Sequence, residues 1–429
     1  MFIPRSARRI RLVRTVFVLG ALLPCAALVA WAIHRHSATH RDALRARWEQ
    51  AVGLPIAIES VEHPLPGVVR GRGCALATAD GRAVLDLATI DVETSPTEVR
   101  LGIGALACDP AGAGLLAGVA HEWLLRDARF RRDVVIDVAD LAWEERGADG
   151  RATRFAVGPV RIECVAQGDA RALRIVRRTA EPGNDEVRIV RSAGDDATAE
   201  ARLDVEAAID TPLPYAIVAA VLGSGPAATL RFGPAATVTG RLAASRSLGR
   251  WTGSAQGRVD GADLGTLTAA LPAGAAGTLD IAVRSMEWRD GRLATGDIAC
   301  AATSGRVDRR LLEALISTVG CRAGSAYVTA VGERDSAFDA LGCVLRIGGR
   351  GVELEGDARL GGALAVSGGR SLLDAPLGVV PAERLAWLLA PPGAVYVPSA
   401  GAGAWLMSIL PPAGAAVERT SQAEAGGSF

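Results

Sequence analysis

From about residue 53 onward the apolar residues recur at every second position. Val160, Ile162 and Cys164 are separated by Arg161 and Glu163. Leu203, Val205, Ala207 and Ile209 are interleaved with Asp204 and Glu206. Trp251, Gly253, Ala255, Gly257 and Val259 alternate with Thr252, Ser254, Gln256 and Arg258. Leu279, Ile281 and Val283 follow the same rule, and so do Val352, Leu354, Gly356, Ala358 and Leu360. A period of two is the mark of strands with one wet and one apolar face. The turn pairs Asp80-Gly81, Asp149-Gly150, Asp290-Gly291 and Gly348-Gly349 punctuate the runs. Sequential antiparallel pairing is the simplest topology that joins them.

Helical periodicity is confined to short stretches, over residues 113 to 125, 213 to 222, 308 to 319 and 381 to 389. A further helix is predicted over 37 to 51, stopped by Gly53. A sheet with one apolar face has to bury that face against something, and these helices are too few to cover it. Either the sheet folds onto itself or part of the face stays open. The pattern Ile136–Ala139, Trp143, Asp149-Gly150-Arg151, Cys164 resembles Leu279–Ala282, Trp288, Asp290-Gly291-Arg292, Cys300, which points to a modular sheet.

Ahead of the strands, Thr15 to Ile33 carry no charge. At 1.5 Å per residue the run spans about 28 Å, close to the hydrocarbon thickness of a bilayer. Arg5, Arg8, Arg9, Arg11 and Arg14 precede it, while the charges after it are mixed. The excess of Arg on one flank sets the orientation, amino terminus in the cytoplasm and the rest across the membrane. Ala30-Trp31-Ala32 is a poor cleavage site, so an uncleaved anchor is expected rather than a signal peptide. The resulting division is 1–14 basic cytoplasmic tail, 15–33 transmembrane anchor, 34–52 juxtamembrane helix, 53–225 first β-rich region and 226–390 second β-rich region. Residues 391–429, rich in Ala, Gly and Pro, read as a mostly disordered tail. Within it, Ala404 to Leu410 form an apolar island.

Composition narrows the chemistry. Of 429 residues, 47 are basic and 47 acidic, so the formal net charge is zero and no nucleic-acid partner is indicated. Every basic residue is Arg. Without Lys there is no P-loop and no Schiff-base chemistry. The five His residues include His34, His36 and His40 just past the anchor, leaving His63 and His121. His121-Glu122-Trp123-Leu124-Leu125 lacks the second His of a zinc protease helix. Asp185-Glu186 and Asp195-Asp196 are the acid pairs a hydrolase would need, yet in Gly-rich surroundings such pairs read as solvated turns. No cofactor, metal or catalytic residue is assigned, and the chain reads as a non-enzyme. The seven Cys include no Cys-x-x-Cys pair. In an exported chain disulfides are permitted, and any pairing among Cys300, Cys321 and Cys343 is left open.

An anchor, a short helix and then Gly53-Leu54-Pro55 followed by Ile58 and Val61 resembles the start of AsmA-like proteins, the family related to TamB-type envelope assembly proteins. The run from Ala276 to Gly305 is similar in texture to that family's carboxy-terminal repeat. The resemblance covers the first hundred residues and, loosely, 235 to 390. It implies a mainly β protein, with an elongated, twisted, taco-like antiparallel sheet whose apolar face shields lipid acyl chains. It also implies a bacterial inner-membrane protein with its bulk in the periplasm, acting in envelope biogenesis or lipid transport between membranes. It supplies no catalytic residues. The partners expected are the inner membrane, through residues 15–33, and phospholipid acyl chains. The lipid-facing candidates from the alternation are Leu203, Val205, Ile209, Val259, Leu279, Ile281, Val283, Val352 and Leu354. The alternative is a scaffold without lipid that recruits envelope partners by strand addition at an open edge.

Overall fold

The computed structural model describes residues 7–78, 83–125, 132–146, 152–168, 170–179, 185–192, 201–222, 231–269, 271, 273–329, 334–389 and 402–410. It is mainly β, built on one twisted open sheet. At the amino terminus α1 (Ala7–Phe17) runs through a π turn into α2 (Leu23–Arg35). Together they give one helix, Arg8–Arg35, long and apolar enough to cross a membrane, with none of its apolar window buried against the rest of the protein. At its end the Arg35 guanidinium lies 3.9 Å from the Trp31 ring. Ser37 then breaks the helix: its backbone is extended, and its hydroxyl accepts a hydrogen bond from the His40 N–H. The next helix, α3 (Ala38–Val52), ends at Gly53, whose φ of 80° is left-handed and closes the last turn onto Glu49.

The first strands are β1 (Ile56–Leu65), β2 (Val68–Ala77), β3 (Ala83–Thr94) and β4 (Glu98–Cys108), paired antiparallel in sequence order. Then α4 (Pro110–Leu125) carries the chain back along the sheet, so β5 (Asp133–Arg146) lies parallel to β4. This departs from a purely antiparallel meander. The cause is local: Asp109 accepts from the Gly112 N–H and caps a helix beginning at Pro110, and a crossover helix returns the chain in the direction it left. From β5 the antiparallel order resumes through β6 (Ala152–Gln167), β7 (Ala170–Arg177), β8 (Asp185–Ser192) and β9 (Arg202–Pro214). After α5 (Tyr215–Leu222) come β10 (Thr237–Ser247) and β11 (Arg250–Asp263). A short α6 (Leu264–Thr268) follows, then β12 (Ala275–Arg289) and β13 (Arg292–Asp308), the longest hairpin. The Asp290-Gly291 turn joins the last two with positive φ at both residues, as a tight hairpin requires. The strand portions of the two similar sequence segments fall on the antiparallel pairs β5–β6 and β12–β13, and Asp149-Gly150-Arg151 lie outside the described residues.

Beyond β13 the order is less sequential. After α7 (Arg309–Ala314), which continues as a π turn over Leu315–Val319, come β14 (Arg322–Ala323), α8 (Ser325–Thr329) and β15 (Asp335–Phe338). The remainder is β16 (Ala340–Gly348), β17 (Gly351–Gly356), β18 (Ala363–Ser367), β19 (Arg370–Asp374), β20 (Val379–Val380) and α9 (Ala382–Leu388). Both β15 and β16 add to β13. Outward from there, β17 pairs β16 and β20 pairs β17, while β18, β19 and β14 form a side branch. Ala358 and Leu360 leave the strand for a helical turn capped by Asp357; the alternation there ends at Gly356. Within the expected tail, the apolar island forms α10 (Ala402–Ile409), which docks beside α9, with Leu410 buried against Val352 and Ala382. Residues 411–429 lie outside the described residues.

Two helix-covered cores result. In the first, Leu115 and Leu116 of α4 and Ala216 and Ile217 of α5 cover Leu85, Leu87, Leu106, Val138 and Trp143. In the second, Leu311, Leu312 and Val319 pack with Leu279, Ala302, Phe338 and Leu372, and Leu385 and Leu388 of α9 lie against them.

Candidate functional site

Strand register turns the local alternation into one long-range feature. Directly paired residues share a face of the sheet, so a chain of partners traces a row across it. Val69 pairs with Val92, Val92 with Leu101, Leu101 with Ile136 and Ile136 with Ile162. The row continues through Ile175, Val187, Ala207 and Leu242. It crosses to Ala255, Met286 and Gly296, and ends at Ile347, Val352 and Val380. No polar side chain interrupts it. At ~4.8 Å per strand the row is roughly 70 Å long.

Helices cover both ends of this row but not its middle. Coverage by α4 stops at β8, where Arg171 and Arg191 donate to the carbonyls of Trp123 and Leu124 at the end of that helix. It resumes at Leu279 and Ile281, which belong to or pack on the second core. Between them Val187, Ala207, Leu242, Ala255 and Met286 form a half-buried floor. A parallel row, Val205, Ala244, Gly253 and Trp288, runs beside it. Among the described residues none of these packs into a buried core cluster. The floor crosses five strands, β8 to β12, about 20 Å. Trp251 and Trp288 stand at the hairpin end of β11 and β12, both half-buried.

The nine lipid-facing candidates divide on this frame. Leu203, Val205, Ile209 and Val283 lie on the uncovered stretch, and Ile209 and Val283 are joined across Gly240 and Gly257 in a single row. Leu279 and Val352 are instead core residues, 6% and 3% exposed, and lie off the open stretch. Val259, Ile281 and Leu354 pack against the second core. Alternation reports which face a side chain occupies, not what lies above it, and this is why the five were grouped with the other four. Leu242, Ala244 and Met286 were not among the candidates; they are the pairing partners of Ala207, Val205 and Ala255.

The glycines of the floor sit where the strands approach closely. A Cβ on Gly257 would come 2.4 Å from the Thr239 carbonyl oxygen, and one on Gly253 2.3 Å from the Ala243 oxygen and 2.7 Å from the Trp288 ring. At Gly240 the clash would be with Gln256 and Gly257 backbone. These glycines let β10 and β11 approach more closely than any side chain allows.

The opposite face is charged and self-neutralised. Arg161 links Asp137 and Glu163, at 3.5 and 2.6 Å, and Arg174 links Glu163 and Glu186, at 3.6 and 2.8 Å. Arg70 forks onto Asp91. Of the acid pairs, Glu186 is held in this ladder. Asp185 is buried: it takes the Arg177 guanidinium and the N–H groups of Asp210 and Thr211. Burial raises its pKa, but the hydrogen bonds from Thr211 and Arg177 outweigh burial and leave it below the usual carboxylate range. The two carboxylates thus occupy separate ion-paired settings and share no pocket, and Asp195-Asp196 lie outside the described residues. His121 is exposed on α4. Among the described residues no group of three or more His, Cys, Asp or Glu side chains is placed to hold a metal ion.

Sequence spacing gave no sign of one contact at the membrane end. His40 of α3 and His63 of β1 meet with their Nε2 atoms 3.3 Å apart. Burial lowers the pKa of both, reinforced at His40 by His34, Arg35 and Arg47 and at His63 by Arg35, His40 and His36. The pair seats the juxtamembrane helix on the first strand. No protein-family model, curated protein or solved structure matches the chain.

Proposed function

We propose that this is a membrane-anchored envelope protein that holds lipid acyl chains on the uncovered middle of its sheet, in the manner of the AsmA-like proteins its amino-terminal element resembles. The observation that carries this reading is the unbroken apolar row from Val69 to Val380, open between two helix-covered cores at Val187–Met286. An acyl chain laid along the floor removes apolar surface from water on both partners, worth ~0.8 kcal/mol for each methylene fully buried. That interaction needs no charge and no cofactor. The helix Arg8–Arg35 would hold the sheet at the bilayer from which such chains come. On this reading the helix spans the inner membrane and the sheet stands in the periplasm.

The test uses the residue alternation itself. A photo-crosslinking amino acid placed at Val205, Leu242 or Ala255 in the full-length protein is expected to capture phospholipid, and one at Gln256 or Glu206, on the charged face, is not. Absence of lipid at all three floor positions overturns the reading. The scaffold alternative draws on the open edge of β1, which pairs only with β2 among the described strands. That edge carries Glu59, Glu62 and Pro64, residues that discourage strand addition, and the lipid reading is preferred.

A further inference from the structure

We propose that Cys300 and Cys343 are an oxidation site and form an intramolecular disulfide joining β13 to β16. The two are direct partners in the antiparallel register. Directly opposed residues in such a pair have Cα atoms about 4.5 or 5.5 Å apart, depending on the hydrogen-bonding position, and both values fall within the range a disulfide spans, about 4.4–6.8 Å. Opposed side chains also leave the sheet on the same side, so the Cβ vectors already point together. Both thiols are partly buried and pack against the same second core.

Their proximity also bears on the order of events. The neighbouring Cys343 lowers the Cys300 pKa against the opposing effect of burial, while Cys300 and burial raise that of Cys343. Burial pushes Cys74 and Cys321 up to about 11 and Cys108 up to about 12, and it raises Cys164. Among these sheet and core thiols Cys300 is therefore the one best able to attack. With a disulfide oxidant, the Cys300 sulfur displaces one thiolate and forms a mixed disulfide. Cys343 loses its proton and attacks the Cys300 sulfur, releasing the second thiolate. One intramolecular S–S bond is made, and the oxidant is reduced to two thiols. Cys321 is close enough to influence Cys343, but it sits in the turn after α7, 3% exposed, outside the strand register.

The bond would close the segment carrying α7, β14, α8 and β15 and tie the second core's lid to its sheet. It rests on the exported location only for its oxidant. The experiment uses the full-length protein in detergent, incubated with oxidised glutathione, acid-quenched, denatured, alkylated and mapped by mass spectrometry. The expected result is a loss of two alkylatable thiols and a single cross-linked species containing Cys300 and Cys343, with Cys25, Cys74, Cys108, Cys164 and Cys321 alkylated. A urea unfolding midpoint higher in the oxidised than in the reduced protein is the second expected result. Full alkylation of Cys300 and Cys343, or a cross-link that uses Cys321, overturns the proposal. If the pair forms with glutathione but is reduced in acid-trapped cells, the pairing stands and the periplasmic placement fails.

Discussion

Arg177 and Asp185 form an ion pair at 2.7 Å in which the side chains are 9% and 4% exposed. The second Asp185 oxygen accepts from the backbone N–H groups of Asp210 and Thr211, and the Arg177 guanidinium also donates to the Thr211 carbonyl. One carboxylate thus clamps the ends of β7, β8 and β9 where the first helix-covered core gives way to the open floor. Removing one partner of a buried pair leaves the other charge unpaired, which costs about 3–5 kcal/mol. Asp185→Ala is expected to lower the urea unfolding free energy by that amount. Asp185 is depressed in the folded state, so its contribution is present above the unfolded carboxylate pKa of ~3.9 and lost as pH falls through the folded value. The acid limb of the stability curve should therefore flatten in the variant.

Leu242→Asp separates folding from lipid capture. The residue is half-buried on the open floor, outside either core, so a stability loss of no more than about 1 kcal/mol is expected. Phospholipid cross-linking from a probe at Ala255, its direct partner, should nevertheless fall severalfold. Equal capture in the variant would count against an acyl chain lying on this row.

Gly257→Val tests the close approach of β10 and β11. A side chain there meets the Thr239 carbonyl and the Gly240 Cα at 2.4 and 2.9 Å, and the strands have to part to admit it. The expected cost is about 1–3 kcal/mol, read as a lower unfolding midpoint and faster amide exchange in β10 and β11. Gly291→Ala, in a turn where nothing lies within 4 Å of the added carbon, would cost only what its positive φ imposes.

The His40–His63 contact is expected to make helix α3 sensitive to pH. Both residues are shifted below the ordinary His value of ~6.5. The unfolded or undocked state therefore binds more protons in the window between the folded values and ~6.5. Docking is at full strength above that window and weakens as pH falls through it. Amide exchange in residues 38–52, corrected for intrinsic rate, should quicken between pH 7.5 and 5.5. His63→Gln should remove most of that dependence.

Much of the architecture was legible in the sequence, because a two-residue period survives wherever one sheet face is wet. The runs at Leu203–Ile209 and Trp251–Val259 are strands with the stated faces, and Ala38–Val52 is a helix that Gly53 ends. What needed the structure was every relation between distant residues. Ile209 and Val283 join one row only because β10 and β11 place glycines between them. Leu279 and Val352 looked like Val205 in pattern but lie beneath helices supplied by segments far along the chain. The apolar island at 404–410 was visible; its seat against Val352 and Ala382 was not. His40 and His63 meet only because α3 folds back on β1.

The order of the strands sets how this sheet can be built. Every strand from β2 to β13 has its immediate predecessor as a neighbour, so each can be added to an existing edge as it arrives, beginning beside the anchor. After β13 that rule lapses: β13 receives both β15 and β16, and β14 waits for β19. A chain emerging from its amino end would grow the sheet through β13 by successive addition. The segments after β13 would instead have to wait, since β14 finds its neighbour only once β19 has emerged.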